Sequence, residues 1–234
     1  GCDFPILLEK GLLGKDPSVQ TLEERLEKLH DAFGSMIVVF AGFEPTVRKD
    51  MPQILKAADV HHYAGIVTNG TLITKELAKA YWDSGMKFAS VSMPTFDDNL
   101  FAQLIRAPRY SLDNVKHALE TLVKTAPNAK LVAITATIDN RTTVEDLQHL
   151  AEYARSLGVL LSLQPYSPTK VNSVDPDYNL ASDERLITPE TVRTVFNGSI
   201  SERIVELQRS YPVIVGRPSA FRNFDRFVRD GYIP

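Results

Sequence analysis

Gly42, Glu44 and Pro45 are the first residues of this chain whose types and spacing suggest chemistry. They follow an uncharged run, Met36 to Ala41. Six consecutive residues without charge predict a strand buried on both faces, as in a parallel sheet. Gly42 lets the backbone turn or approach a ligand closely. Glu44 then sets a carboxylate at the strand's carboxyl end, where α/β sheets and barrels bind ligands. Pro45 fixes the exit direction and removes one backbone donor. A strand followed by an ordinary loop accounts for the same short stretch equally well.

Other reactive side chains are sparse. Cys2 is the single cysteine, which rules out an internal disulfide and fits a reducing cytoplasm. His61 and His62 are adjacent, and neighbouring strand residues point to opposite faces, so they read as surface or packing residues rather than a metal pair. His30, His117 and His149 sit on unrelated helices and form no visible constellation. Phe221, Phe224, Phe227 and Val228 read as a packing stripe.

The elements that must position these residues follow from periodicity. Thr21 with Glu24 predicts a capping box, and Leu22, Leu26, Leu29 and Phe33 form an apolar stripe closed by Gly34. Strands are expected near 36–41, 64–68, 88–93, 131–138 and 159–164, with a short one at 213–215. Helices are expected at 50–59, after Thr74, after Ser111, after Thr143, after Thr188-Pro189, over 201–210 and after Ser219. Residues 3–20, 94–110 and 169–187 read as connections. Strand and helix alternate at least five times, which implies βαβ units and right-handed crossovers. No Gly-rich phosphate loop follows the first strand, which weakens a dinucleotide-binding alternative. The fold class expected is α/β, an incomplete parallel (β/α) TIM-like barrel of about five to six strands with outer helices.

The chain has 234 residues, 44% of them hydrophobic and 24% charged, an ordinary globular composition. A formal net charge of -3 implies no general affinity for nucleic acid or anionic membrane. No apolar run is long enough for a membrane span, and the start shows no signal-peptide pattern. One domain over 1–234 is expected, with a core at 1–168 and a helical part at 169–234. The ends, Gly1-Cys2-Asp3 and Gly231-Tyr232-Ile233-Pro234, read as cut from a longer protein.

Several strand ends, in order, match one family. Phe40-Ala41-Gly42-Phe43-Glu44-Pro45 resembles the Gly-Gly-Glu-Pro segment of radical S-adenosylmethionine (SAM) enzymes, with Phe43 in place of the second glycine. Ile66-Val67-Thr68-Asn69-Gly70-Thr71 resembles their Thr-Asn-Gly-Thr strand end. Ala89-Ser90-Val91-Ser92 is similar to the following Ser-containing strand, and Leu163-Gln164-Pro165-Tyr166-Ser167-Pro168 to a late strand of the same barrel. Leu104-Ile105-Arg106 with Ser111-Leu112-Asp113 resembles the segment before the next helix.

The resemblance implies a 4Fe–4S cluster held by Cys-x3-Cys-x2-Cys, with SAM on its open iron. Reductive cleavage of SAM would yield a 5′-deoxyadenosyl radical that abstracts hydrogen from a substrate. The protein's part is to orient SAM and exclude competing reactions. By the same resemblance, Cys2 falls near the third cysteine and is the metal ligand of this segment. The first strand and the other two cysteines would precede Gly1. Gly42, Glu44 and Pro45 are implied cofactor contacts, with the Glu44 charge beside an ammonium. Thr68, Asn69 and Ser92 offer neutral partners for carboxylate or ribose, and Thr137 and Gln164 approach the adenosine end. The partners implied are an electron donor and a small-molecule or peptide substrate. A non-catalytic barrel serving as a binding module is the first rival, since one cysteine cannot hold the cluster unaided. A cofactor-free lyase on an α/β barrel ranks lower, because no lysine lies inside the expected strands.

Overall fold

A computed structural model describes residues 16–105, 110–127, 131–166 and 183–229. Cys2, the 3–15 stretch and most of the 169–187 connection therefore lie outside the described residues. The strands are β1 (Ile37–Phe40), β2 (Tyr63–Thr68), β3 (Phe88–Ser92), β4 (Leu131–Ile138), β5 (Leu160–Pro165) and β6 (Ile214–Val215). The helices are α1 (Val19–Phe33), α2 (Met51–Asp59), α3 (Lys75–Asp83), α4 (Asp98–Ile105), α5 (Leu112–Thr125), α6 (Val144–Leu157), α7 (Pro189–Thr194), α8 (Ile200–Ser210) and α9 (Pro218–Arg229).

The six strands form one open parallel sheet in chain order, β1 to β6, the arrangement of an incomplete (β/α) barrel. Parallel neighbours need a crossover between them, and helices fill those crossovers. Two compact units divide the chain, one within 13–93 and 107–133, the other within 1–12, 94–106 and 134–234.

In the first unit the helix faces are set by spacing and capping. Ser111 caps α5 and shares a capping box with Asn114. Leu112, Val115, Leu119 and Leu122 then lie on one inward face and are buried. Each such side chain contributes about 1.5–3 kcal/mol of burial. Thr74 caps α3, which buries Ala78, Tyr81 and Trp82. On α2, Ile54, Leu55 and Ala58 point inward as their spacing predicts.

Two expectations for this unit are corrected. The cap of α1 is Ser18, whose side chain accepts from the Thr21 amide; Thr21 lies inside the helix. Of the predicted stripe only Leu26 is buried, and Phe33 is 73% exposed. Likewise β1 is not buried on both faces, since Ile37 is 71% and Val39 49% exposed. Among the described residues β1 stands first in the sheet order and pairs with β2 alone.

In the second unit α6 packs beside β5, α8 beside β6, and α9 against α8. Thr143 caps α6, which ends at Gly158. Thr188 caps α7 and Ser199 caps α8. Phe221 and Phe224 of α9 are buried and meet edge to face, so the packing reading holds for these two. The connection expected over 94–110 contains α4, started by Asp97, whose carboxylate accepts from the Leu100 amide at 2.7 Å. A two-turn helix is too short to stand out by periodicity, and its cap was its only strong signal. Among the described residues no helix is long and apolar enough to cross a membrane.

Candidate functional site

The carboxyl ends of β1 and β2 meet through Glu44. Register sets this up: Phe40 lies opposite Ile66, so the chain beyond β1 passes the end of β2. Gly42 takes φ 143°, a left-handed value that a side chain resists, and the backbone turns there. Glu44 then begins a short 3-10 turn over Pro45–Val47. Its Oε1 accepts from the Thr46 amide at 3.1 Å, the Thr46 hydroxyl at 2.6 Å and the Thr68 hydroxyl at 2.6 Å. Its Oε2 accepts from the Asn69 amide at 2.7 Å. Pro45, Thr46 and Thr68 are buried around this carboxylate.

Asn69 is shaped by its own turn. Its Oδ1 accepts from the Thr71 amide at 2.9 Å and from the Thr71 hydroxyl, an Asx arrangement. Among the described residues its Nδ2 has no hydrogen-bond partner. The Thr68 hydroxyl also accepts from the Gly70 amide at 3.0 Å. Gly70 has φ 82°, and an added Cβ would stand 3.0 Å from the Ala118 Cβ, so this turn needs glycine. Ser92, half-buried, ends β3 one step past Val91, the partner of Thr68. Gly42, Glu44, Pro45, Thr68, Asn69 and Ser92 thus belong to adjacent strand ends of one unit.

Two tyrosines missed by sequence reasoning flank this cluster. The Tyr110 hydroxyl donates to the Asn69 carbonyl. Burial, and then the Glu44 charge, raise the Tyr110 phenol above its ordinary range. Tyr81 is fully buried, and its phenol is pushed up to about 12 by the same two causes in the same order. Both therefore keep their protons at neutral pH. Tyr110 precedes the Ser111 cap, and nothing in the local pattern marks a residue 41 positions from Asn69 as its neighbour. A cavity of about 220 Å³ lies beside Glu44, lined by Phe40, Ala41, Phe43 and Arg48 among others. It is smaller than the ~300–1,000 Å³ of typical ligand sites, so alone it takes only part of a ligand.

The histidines correct another expectation. His30, His61 and His62 do form a group: the His30 and His61 rings stack at 4.3 Å, and His30 meets His62 edge-on at 6.0 Å. His61 and His62 occupy the turn before β2, not a strand, so alternation does not separate them. His62 is buried; its Nδ1 accepts from the Met36 amide at 3.2 Å and its Nε2 donates to the Leu26 carbonyl at 2.9 Å. Among the described residues no group of three or more His, Cys, Asp or Glu is arranged to hold a metal. The three rings pack together, and His62 links Met36 to Leu26.

Thr137, half-buried on β4, and Gln164, exposed on β5, belong to the second unit. Just beyond β4, buried Asp139 accepts from Arg141 Nη2 and Arg185 Nε, each at 3.0 Å. Arg185 lies 4.2 Å over the Tyr166 ring, and Tyr166 donates to Asp183 at 2.8 Å. Burial lowers the Arg185 pKa. This network joins β4, β5 and the 183–187 segment, and sequence alone offered no sign of it.

The donor set was tested against the cofactors that the resemblance implies. Strand-end hydroxyl and amide groups suit the polar atoms of SAM. A 4Fe–4S cluster needs three or four thiolates, and the 234 residues contain one cysteine, so they do not fit the cluster by themselves.

Comparison with known proteins agrees with the fold. The chain is 43% identical over 63 residues to Fe-coproporphyrin III synthase of Methanosarcina barkeri, covering 26% of this chain and 16% of that protein. It is 22% identical over 218 residues to the probable GTP 3′,8-cyclase of Methanocaldococcus jannaschii, covering 89% and 70% respectively. The structure of SuiB from Streptococcus suis bound to S-adenosylmethionine superposes with a TM-score of 0.59 at 19% identity, over 86% of this chain and 45% of that one. The chain thus spans less than half the length of the synthase and of SuiB. The family whose model matches residues 1–154 is the Radical SAM superfamily, whose cofactors are a 4Fe–4S cluster and SAM. A match over that much of the sequence, on a parallel sheet of the same build, means that this chain belongs to the radical SAM superfamily.

Proposed function

We propose that this chain is the SAM-binding core of a radical SAM enzyme. The observation that carries the reading is the joined strand end, where Glu44, Thr68 and Asn69 meet inside the segment matched to the family. In this reading Gly42, Glu44, Pro45, Thr68, Asn69 and Ser92 form the polar wall against the methionine part of SAM and the ribose. Thr137 and Gln164 serve the adenosine end. Cys2 supplies one thiolate, and the others come from elsewhere in the complete protein. All 234 residues then act as one domain of that protein. Cluster and SAM together supply reductive cleavage of the sulfonium; the chain's own residues bind, orient and shield. The substrate class is a small molecule or a peptide, with an electron donor as partner.

The test is anaerobic reconstitution of the complete protein and of residues 1–234 alone. Iron counting, electron paramagnetic resonance and an assay for 5′-deoxyadenosine are the readouts. The complete protein should load a cluster and release 5′-deoxyadenosine; residues 1–234 should hold no stable cluster, with at most one thiolate to offer. Full loading of a Cys2→Ala variant would remove Cys2 from the ligand set. Absence of a cluster in the complete wild-type protein would favour a non-catalytic binding module.

A further inference from the structure

We propose that Glu44 and Tyr110 are positioning residues that clamp the Asn69 backbone, Glu44 at its N–H and Tyr110 at its C=O. The proposal rests on the reading that the Thr68–Asn69 strand end receives SAM. Glu44 Oε2 holds the Asn69 amide at 2.7 Å, and the Tyr110 hydroxyl holds the Asn69 carbonyl. The two partners stand 25 and 41 positions away in sequence. The backbone of Asn69 is thus tied at its donor and at its acceptor by different elements.

The Glu44 carboxylate is largely committed to the fold. A carboxylate offers about four acceptor positions. Four donors already reach this one: the Thr46 amide and hydroxyl, the Thr68 hydroxyl and the Asn69 amide. Three of them crowd Oε1 and one reaches Oε2, so Oε2 keeps one acceptor position. The clamp presents Asn69 outward. With Oδ1 taken by Thr71, the Nδ2 donors of Asn69 sit on a backbone held at both its N–H and its C=O. Such a pair of donors suits a carboxylate or a ribose hydroxyl. Preorganising it lowers the ordering cost of binding.

Glu44→Gln and Tyr110→Phe test the clamp in the complete protein, with SAM itself as the probe. Wherever the amide of Gln is placed, its NH2 faces either the Thr46 or the Asn69 N–H, so one donor is orphaned. Tyr110→Phe removes only the hydroxyl. Amide hydrogen exchange over residues 68–71 is measured before SAM is added, and the Kd for SAM by calorimetry. The clamp predicts that both variants speed exchange of the Asn69 and Gly70 amides about tenfold in the SAM-free protein. It also predicts a Kd for SAM raised about fivefold in Tyr110→Phe and tenfold or more in Glu44→Gln. Weaker SAM binding by Glu44→Gln with unchanged exchange would overturn the proposal and make Glu44 a direct ligand. Unchanged exchange and unchanged affinity in Tyr110→Phe would overturn it for Tyr110. Wild-type protein that binds no SAM removes the underlying reading instead, and the exchange data then judge the clamp alone.

Discussion

The Asn69 amide donates to Glu44 Oε2 at 2.7 Å, although 25 residues separate them in sequence. One carboxylate therefore joins the ends of β1 and β2. Glu44→Ala removes the acceptor for four donors, two of them backbone N–H groups. Residues 1–234 should lose about 2–4 kcal/mol of stability by urea unfolding. In the complete protein, calorimetry should show weaker SAM binding. An unchanged unfolding midpoint would mean that water replaces the carboxylate at little cost.

His62 ties Met36, just before β1, to Leu26 on α1. In His62→Ala both the Met36 amide and the Leu26 carbonyl lose this partner, and a cavity opens in buried space. The expected loss is about 2–4 kcal/mol. Urea titration of the two chains, with the slope compared as well as the midpoint, measures it. A loss below about 0.5 kcal/mol would show that the Met36 amide and the Leu26 carbonyl find other partners at little cost.

Asp146 gives a pH signature. Burial holds its carboxyl above the ordinary carboxylate range, and the Phe96 amide at 2.7 Å offsets this only in part. Its Oδ2 is buried with no hydrogen-bond partner among the described residues. A raised pKa in the folded state means that the ionised form opposes folding. That penalty is complete above the folded pKa and fades as pH falls through it towards the unfolded value. Asp146→Asn keeps an acceptor for Phe96 and cannot ionise. It should be at least as stable as wild type at pH 7, and the gap should close as pH falls towards 4. Unfolding midpoints at a series of pH values check this. A variant that is less stable at pH 7 would show that the charge is favoured by the start of α6.

The exposed edge predicts association. Ile37 is 71% exposed on β1, which among the described residues pairs with β2 alone. Unblunted apolar edges pair with other chains. Ile37→Lys should lower concentration-dependent association of residues 1–234 in sedimentation, at a change in stability within about 0.5 kcal/mol. Equal association of both chains would clear this edge.

Much of the architecture was legible because periodicity and turn chemistry agreed. The Ser111 cap and the 112, 115, 119, 122 spacing give α5 and its buried face together. Thr143 and Gly158 bound α6 in the same way. The site was legible as motifs only. Gly42, Glu44, Thr68 and Asn69 stand at strand ends because apolar runs stop there, and a run's end can be read locally.

What sequence alone determined, then, is the succession of parallel strands and helices, the family, and the polar residues left at the strand ends. Tertiary structure decided which of those residues touch. Glu44 became a strap across β1 and β2 because register places Phe40 opposite Ile66. Tyr110 reached Asn69, and three histidines from separate elements came together. β1 was left exposed because a strand's burial depends on its place in the sheet, not on its own residues. Local patterns report periodicity and caps over a few residues. Contacts between positions 25 to 41 apart depend on how whole elements pack, and no local pattern carries that information.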